Sequence, residues 1–558
     1  MKEDIQATHP HAFYTMIKED CEHQVFHRPI CTRFPPEPNG YLHIGSAYAI
    51  HMNASLAKAF DGEFHLRFDD TNPLKEDEAF VQAILQDIRW LGYDPGPHIY
   101  YGSDYAETIY EAALKLIERG AAYVCDLSAE DTALYRGTLT ESGKESPYRN
   151  RSVEENRQRF EAMRAGQYAS GACVLRAKID MASANMNMRD PILFRIIHAS
   201  HYRTGDSWCI YPMYDFAHPI QDWIEGVTHS LCSIEFKDHR PLYEWVQEQL
   251  ELAEPSRQRE FGRLYLQDSV TSKRYLRQLV ERGDVDGWDD PRLATVMGMR
   301  RRGYQASHIR QWMAEIGLIR HEAVVDLHTL DHITRADLQG STKGYMTILD
   351  PIKLIITNRD QHETEWLDIP FHTEHDVFGS RAMPFTRELF IEREDFMEVP
   401  EQGYRRLTLG GEVRLKGAYY VHCHHVVKDE LTGNILELHC TYDPKTKSGS
   451  GFEGRKVKGT IHWVAASDAV PLEVRLYHSL LRSDAKFNEK EPDWSMLLNP
   501  HSLVTYKNAI AEGSLSRVES GERVQFVRHG YFIEDMKDSS SERKVYNRIV
   551  ALKDSWKK

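Results

Sequence analysis

The chain has 558 residues, 41% of them hydrophobic and 27% charged, with a formal net charge of −15. That length accommodates about three to five domains, and the acidic surplus excludes a generic nucleic-acid coat while leaving room for a local basic track. No apolar run is long enough to span a membrane. The opening MKEDIQATHPHAFYTMIKED lacks the apolar core of a secretory signal, so we expect a mature cytoplasmic protein.

In chain order, ICTRF predicts a short strand, and a Pro- and Gly-rich loop separates it from a helix over about 45–60. Ala49, Met52, Leu56 and Phe60 fall on one face of that helix. EFHLRF predicts a second strand that stops at Asp69 and Asp70. Phe80, Ile84, Ile88 and Leu91 form the stripe of a second helix, and Ile109, Ala113 and Leu116 that of a third. This alternation predicts a parallel α/β sheet. YRGTLTESGKESPYRNRS reads as an inserted hairpin or loop, and ACVLRAKID as a strand beyond it. WCIYPMYDFAHPIQDWIEGVTHSLCSIEF returns to the α/β pattern, and residues 270–338 read as helical and charged. After about Gln339, TILDPIKLIITN, YRRLTLGGEVRLKGAYYVHCHHVV, NILELHCTYD and KVKGTIHWV alternate apolar and polar residues between turns, as in antiparallel barrels or sandwiches. The fold class expected is multidomain, α/β followed by all-β.

Eight cysteines in so long a chain do not make a disulfide scaffold. His422 to His425, with His439 and Cys440 nearby, offer zinc-ligand residue types. Their spacing matches no common zinc pattern, and a strand alternates its faces, so a strand is expected there and no metal site.

Two segments carry chemistry. In RFPPEPNGYLHIGS, a strand end, a turn and a helix start bring backbone N–H groups and the helix dipole to one spot, which favours phosphate. Gly45 permits close approach of a nucleotide, and His43 can hydrogen-bond a phosphate oxygen. In SVTSKRYL, Ser269 to Leu276, a loop with Lys273 can set an ammonium on a triphosphate as pyrophosphate leaves. Together and in this order the two resemble the HIGH and KMSKS signatures of class I aminoacyl-tRNA synthetases.

The likeness extends through LRFDDTNP, DIRWLGY, SPYRNRSVEEN, LRAKIDMAS, EGVTHSLCSIEF, GWDDPR, KVKGTIHWV and LEVRLYHSLL to essentially the whole chain, which resembles the glutaminyl-tRNA synthetase family. The resemblance implies a Rossmann-type catalytic domain over residues 1–110 and 208–269, split by an acceptor-stem-binding insertion over 111–207. It implies a helical connecting subdomain over 270–338 and two anticodon-binding β-barrels over 339–558. The activity implied is ATP-dependent activation of L-glutamine to glutaminyl-adenylate, dependent on bound tRNA, and transfer to the terminal adenosine of tRNA(Gln). ATP enters with Mg²⁺ as a substrate complex. No tightly bound cofactor is implied, and the expected form is a monomer.

By the same resemblance, His43 and Lys273 are catalytic, and Glu37, Pro38, Asn39, Ile44, Gly45, Ser46, Ser233, Arg263, Leu264, Thr271 and Ser272 join them around ATP. Asp69 receives the ammonium of glutamine through a charge-assisted bond, Arg33 lines its pocket, and the Tyr214 hydroxyl reads the side-chain amide. Cys232 and Gln258 stand where glutaminyl and glutamyl enzymes differ and carry the glutaminyl choice. Leu139 is the wedge that opens the first acceptor pair, and Asp238 reads the acceptor stem in the minor groove. Arg405, Arg406, Arg414, Gln525 and Arg528 face anticodon bases.

Four departures stand out. Ser46 replaces the second signature histidine, and Thr271 the usual methionine. Gly344, beside Lys343, replaces an anticodon arginine, and the region of Gly403 and Lys416 replaces a glutamine and an arginine. Lysine for arginine loses the planar two-pronged donor. An active synthetase is the favoured reading. The alternatives are a tRNA-binding paralogue with little aminoacylation and a glutamate-accepting enzyme.

Overall fold

The computed structural model describes residues 12–74, 76–485 and 492–552. The expected alternation opens the chain. Strands Cys31–Phe34, Glu63–Phe68 and Ile99–Tyr101 pair in parallel, and His229–Ser233 pairs in parallel with Arg257–Phe261. The two pieces meet edge to edge: the Thr228 N–H donates to Cys31 O at 3.0 Å. The joint order is third, second, first, fourth, fifth, and it reverses beside Cys31–Phe34. In open α/β sheets, ligands bind in the crevice at the carboxyl ends of the strands flanking such a reversal.

The helix Ile44–Ala59 packs on the strands Cys31–Phe34 and Glu63–Phe68. Its burial exceeds the one-face expectation: Ile44, Ala47, Tyr48, Ile50, Met52, Asn53, Ala54, Leu56 and Ala57 are all buried. The sheet covers one side, while the strand Leu264–Leu266 and the helix Ala306–Ile316 cover others. A helix apolar on most of its circumference is a core helix.

Between the two parallel pieces stands an antiparallel sheet ordered Ala122–Cys125, Val174–Ala177, Ile192–Ile196 and Ile210–Pro212. It has a core of its own around Phe160, Leu175 and Phe194. The Gly- and Ser-rich stretch 137–148 is a loop. The region read as helical contains Lys273–Glu281, Val296–Arg302, Ala306–Ile316 and His328–Ser341.

Two seven-stranded, barrel-like sheets follow. One runs from Pro351–Ile356 to Val464–Ala465. The other joins Gly344–Tyr345 and Thr347–Ile348 to five strands between Val470–Tyr477 and Lys544–Val550, so the first is inserted into the second. The second sheet rests on the helical segment, where Arg523 Nε donates to Gly303 O at 2.9 Å and Arg302 Nε to Ile549 O at 3.2 Å. The His422–His425 cluster lies on the strand Tyr420–Lys428, as expected, but strict alternation fails there. The register shifts between Cys423 and His425, leaving His424 and His425 both exposed and Cys423 buried. Among the described residues no helix is long and apolar enough to cross a membrane.

Candidate active site

The turn after Cys31–Phe34 delivers His43 as the cap of the helix Ile44–Ala59, with its Nδ1 accepting from the Gly45 N–H at 3.1 Å. That bond leaves the ring proton on Nε2. Burial, reinforced by Lys273 and Arg263, holds the imidazole down to about 4, so near neutrality it is a neutral donor. A Cβ at Gly45 would lie 2.9 Å from His43 Cε1 and 3.3 Å from Leu264 O, which ties the glycine to this cap. Ser46 sits half-buried on the first helical turn. The Ile44 N–H donates to Ala294 O at 2.9 Å, fastening the turn to the helical segment.

Lys273 closes the other side. Its Nζ donates to Asn39 Oδ1 at 2.6 Å, and Asn39 Nδ2 donates to Glu37. Its stem lies on Gly40, where a Cβ would come 3.0 Å from Lys273 Cδ. Burial lowers the ammonium below its ordinary range, with Glu37 opposing. Arg263 pairs with Glu235, which also accepts from Ser233 Oγ at 2.6 Å. Pro38 O accepts from the Asp77 N–H at 3.1 Å. The loop holding half-buried Thr271 and exposed Ser272 is anchored by Val270, in a core shared with Leu480, Leu481 and Leu497. Both signature segments therefore converge on one corner.

The second group lies deeper. Arg33 is fully buried, with Nε on Asp222 Oδ1 at 3.0 Å, Nη1 on Leu231 O at 3.0 Å and Nη2 on Ser230 Oγ at 2.8 Å. Tyr214 begins the helix Tyr214–Ile224 and stacks on His218 with ring centroids 4.5 Å apart. Burial raises its hydroxyl well above the ordinary range, so it acts as a neutral donor and acceptor. Burial pushes the Asp69 carboxyl up to about 6 against the pull of Arg67, and the Cys232 thiol up to about 12. Gln258 Nε2 donates to Phe236 O and to Glu260 Oε1, each at 3.1 Å.

Residues absent from the sequence reading hold this pocket in shape. Asp222 Oδ1 takes Arg33 and also Arg67 Nη2, at 2.8 Å, while Oδ2 accepts from Tyr243 OH at 2.8 Å. Arg67 Nη1 reaches Glu225 Oε2 at 2.9 Å. Burial alone would raise the Asp222 carboxyl, but Arg33, His218 and Arg67 pull it well below the ordinary carboxylate range. The signal was the placement of Tyr214, His218, Asp222 and Glu225 at helical spacing on one face.

Leu139 is 81% exposed at the tip of a loop. Arg189 Nη1 organises that loop by donating to the carbonyls of Arg136, Thr138 and Glu141 at 2.8–2.9 Å. Exposed Asp238 is tied through its carbonyl to Asn185 Nδ2 at 2.7 Å, so both positions lean on the segment 183–189. In the barrel-like sheets, Arg406 and Arg528 converge on buried Asp395, at 3.0 Å and 2.6–2.8 Å. Arg414 lies apart, over the Tyr420 ring at 4.3 Å, and Arg405 is exposed. Gln525 is matched in register with Gly344, and a Cβ on Gly344 would meet Gln525 Oε1 at 3.0 Å. A long side chain at 344 thus competes with Gln525 for space.

Two groups of metal-ligand residue types cluster elsewhere among the described residues, Cys31 with Glu63 and His65, and Glu392 with His462 and His529. In the second, the His462 nitrogens contact Thr347 O at 2.8 Å and Arg528 Nη1 at 3.2 Å.

Residues 29–339 match the family described as tRNA synthetases class I (E and Q), catalytic domain. Residues 343–443 and 460–535 match the two anti-codon binding domain families of the same synthetases. The chain is 54% identical over 531 residues to the Glutamine--tRNA ligase of Clostridium perfringens, covering 95% of this chain and 96% of that protein. Proteins of the same name from Clostridium kluyveri and Clostridioides difficile are each 51% identical, with 95% of this chain covered and 94% and 95% of theirs. The chain belongs to the class I tRNA synthetases of the E and Q type.

Proposed function

We propose that this chain is a glutamine–tRNA ligase, activating L-glutamine with ATP and passing it to the terminal adenosine of tRNA(Gln). The observation that carries the reading is the 54% identity with a Glutamine--tRNA ligase over 95% of the chain. Glutamate acceptance and tRNA binding without catalysis are not favoured by such relatives. ATP arrives as its Mg²⁺ complex in the corner of Glu37, Asn39, His43, Gly45, Arg263 and Lys273. A glutamine carboxylate oxygen attacks the α-phosphorus, the bond to the bridging oxygen breaks, and pyrophosphate leaves. A ribose hydroxyl of the terminal adenosine then attacks the acyl carbon and AMP departs. The chain supplies alignment and charge stabilisation: Nε2–H of neutral His43 and the Lys273 ammonium face the phosphates, and Asp69 holds the substrate ammonium. The sheet between the two parallel pieces takes the acceptor end, and the barrel-like sheets take the anticodon.

Charging of tRNA with both amino acids tests the reading. Glutamine should be transferred with the higher kcat/KM. A preference for glutamate, or tight tRNA binding with no charging, overturns it.

Asp69 gives a pH signature. It must be ionised to pair with the substrate, and its value in the free protein is about 6. The kcat/KM for glutamine should be level above about pH 7 and fall about tenfold per unit below 6. The stability linkage of Asp69 itself has the opposite sign. A raised carboxyl pKa contributes stability that is fully present below its unfolded value and is lost as pH rises through 6. A level profile down to pH 5 would remove Asp69 from this role.

Ser46→His tests the signature departure. Restoring an imidazole on the first turn should raise the charging rate modestly, by less than about tenfold. An unchanged or lower rate would mean that the turn around His43 already supplies what the second histidine does elsewhere.

A further inference from the structure

Cys423 and Cys440 play no part in the proposed reaction, yet they lie directly opposite each other on the antiparallel strands Tyr420–Lys428 and Ile435–Asp443. Both are free thiols in the core of the inserted barrel-like sheet. The backbone bonds fix what kind of pair they make. Cys423 donates its N–H to Gly411 O at 3.1 Å and accepts from the Gly410 N–H at 2.7 Å, both on the side away from Cys440. Cys440 O accepts from the Thr357 N–H at 2.8 Å, again on its far side. The two residues therefore exchange no ladder bonds and occupy a non-hydrogen-bonded position.

At such positions opposed Cα atoms are about 4.5 Å apart and the side chains approach most closely. That separation lies inside the disulfide range of about 4.4–6.8 Å. The Cys423 thiol is held below its ordinary range, with Cys440 as the first cause, and its Sγ reaches His425 O at 3.7 Å. Among the described residues no other two cysteines are matched across a ladder. The register shift beside Cys423 interrupts the ladder next to this thiol.

We infer that Cys423 and Cys440 are an oxidative modification site, at which a peroxide closes a reversible disulfide across the inserted barrel. The Cys423 sulfur attacks a peroxide oxygen as its thiol proton is lost, the O–O bond breaks, one oxygen stays on sulfur as a sulfenic acid, and the other leaves with that proton as water. The Cys440 sulfur attacks that sulfur and a second water departs with its proton. Two thiols lose two electrons and two protons, and hydrogen peroxide takes them up as two waters. The bond joins the strand paired with Glu412–Leu415, which carries Arg414, to its other neighbour. In a reducing compartment such a bond is transient rather than a permanent staple.

The test is peptide mapping of the full-length protein after hydrogen peroxide treatment and blocking of free thiols. The expected product is one cross-linked peptide pair joining 423 to 440, short of two hydrogens and restored by dithiothreitol. Cys423→Ser and Cys440→Ser should each abolish it. Recovery of Cys423 and Cys440 as free thiols while exposed Cys21 is oxidised overturns the inference. So does a cross-link from either to a different cysteine.

Discussion

Lys273→Met should lower the kcat for aminoacylation by about 10²–10³-fold and leave the melting temperature unchanged. The ammonium has Asn39 Oδ1 as its partner, 2.6 Å away, within a chain that continues to Glu37. Bound triphosphate offers that ammonium a far stronger anion, and the interaction grows as charge accumulates on departing pyrophosphate. An interaction that strengthens in the transition state appears in kcat rather than only in KM. Methionine preserves the stem that lies on Gly40, so packing is retained while the charge is lost. Single-turnover charging at saturating ATP, beside a thermal melt, separates chemistry from folding. A rate within about threefold of the parent would shift the burden to His43 and Arg263.

The strand, turn and helix start that deliver His43 were legible in the sequence because they are local, whereas the meeting of Lys273 with Asn39, more than two hundred residues away, was expected only from the likeness of the two segments. A strand, a turn and a capped helix can be read from a dozen consecutive letters, and His43 and Gly45 meet within them. The order of the barrel-like sheets was not legible, since Gly344–Tyr345 finds its partner strand Arg523–Phe526 nearly two hundred residues away. The helix Ile44–Ala59 showed one stripe in sequence but is covered on several sides by elements distant in the chain. The histidine cluster misled alternation because a single register shift moves His424 and His425 to the same exposed state. The residues proposed to hold glutamine were named by likeness, residue by residue, and what orders them was missed. Asp222 matches no signature; its role arises only when Arg33 and Arg67, from two neighbouring strands, are brought to one carboxylate.

That carboxylate carries the largest expected effect on stability. Asp222→Asn should cost about 3–5 kcal/mol, because it leaves Arg33 and Arg67 buried beside an amide that cannot neutralise them. Asparagine keeps the volume, so no cavity is created. It also turns one donor toward the guanidiniums, which cannot accept, or toward the Tyr243 hydroxyl, which must then accept where it now donates. Tyr243→Phe is the proper comparison, since it removes one neutral hydrogen bond to the same carboxylate, worth about 1 kcal/mol. In so large a chain the readout is the midpoint of the catalytic segment's transition in urea, not a single unfolding free energy. The pH dependence has a definite sign. Asp222 sits well below the ordinary carboxylate range, so its contribution is present above the unfolded carboxyl pKa and is lost as pH falls toward the native value. The parent should therefore lose more stability on acidification than the asparagine variant does, and the two curves should approach each other at low pH. The KM for glutamine should rise in the variant, because the Arg33 guanidinium is held by Asp222 through Nε. A midpoint shift no larger than that of Tyr243→Phe would mean that Glu225 and His218 hold the two arginines without it.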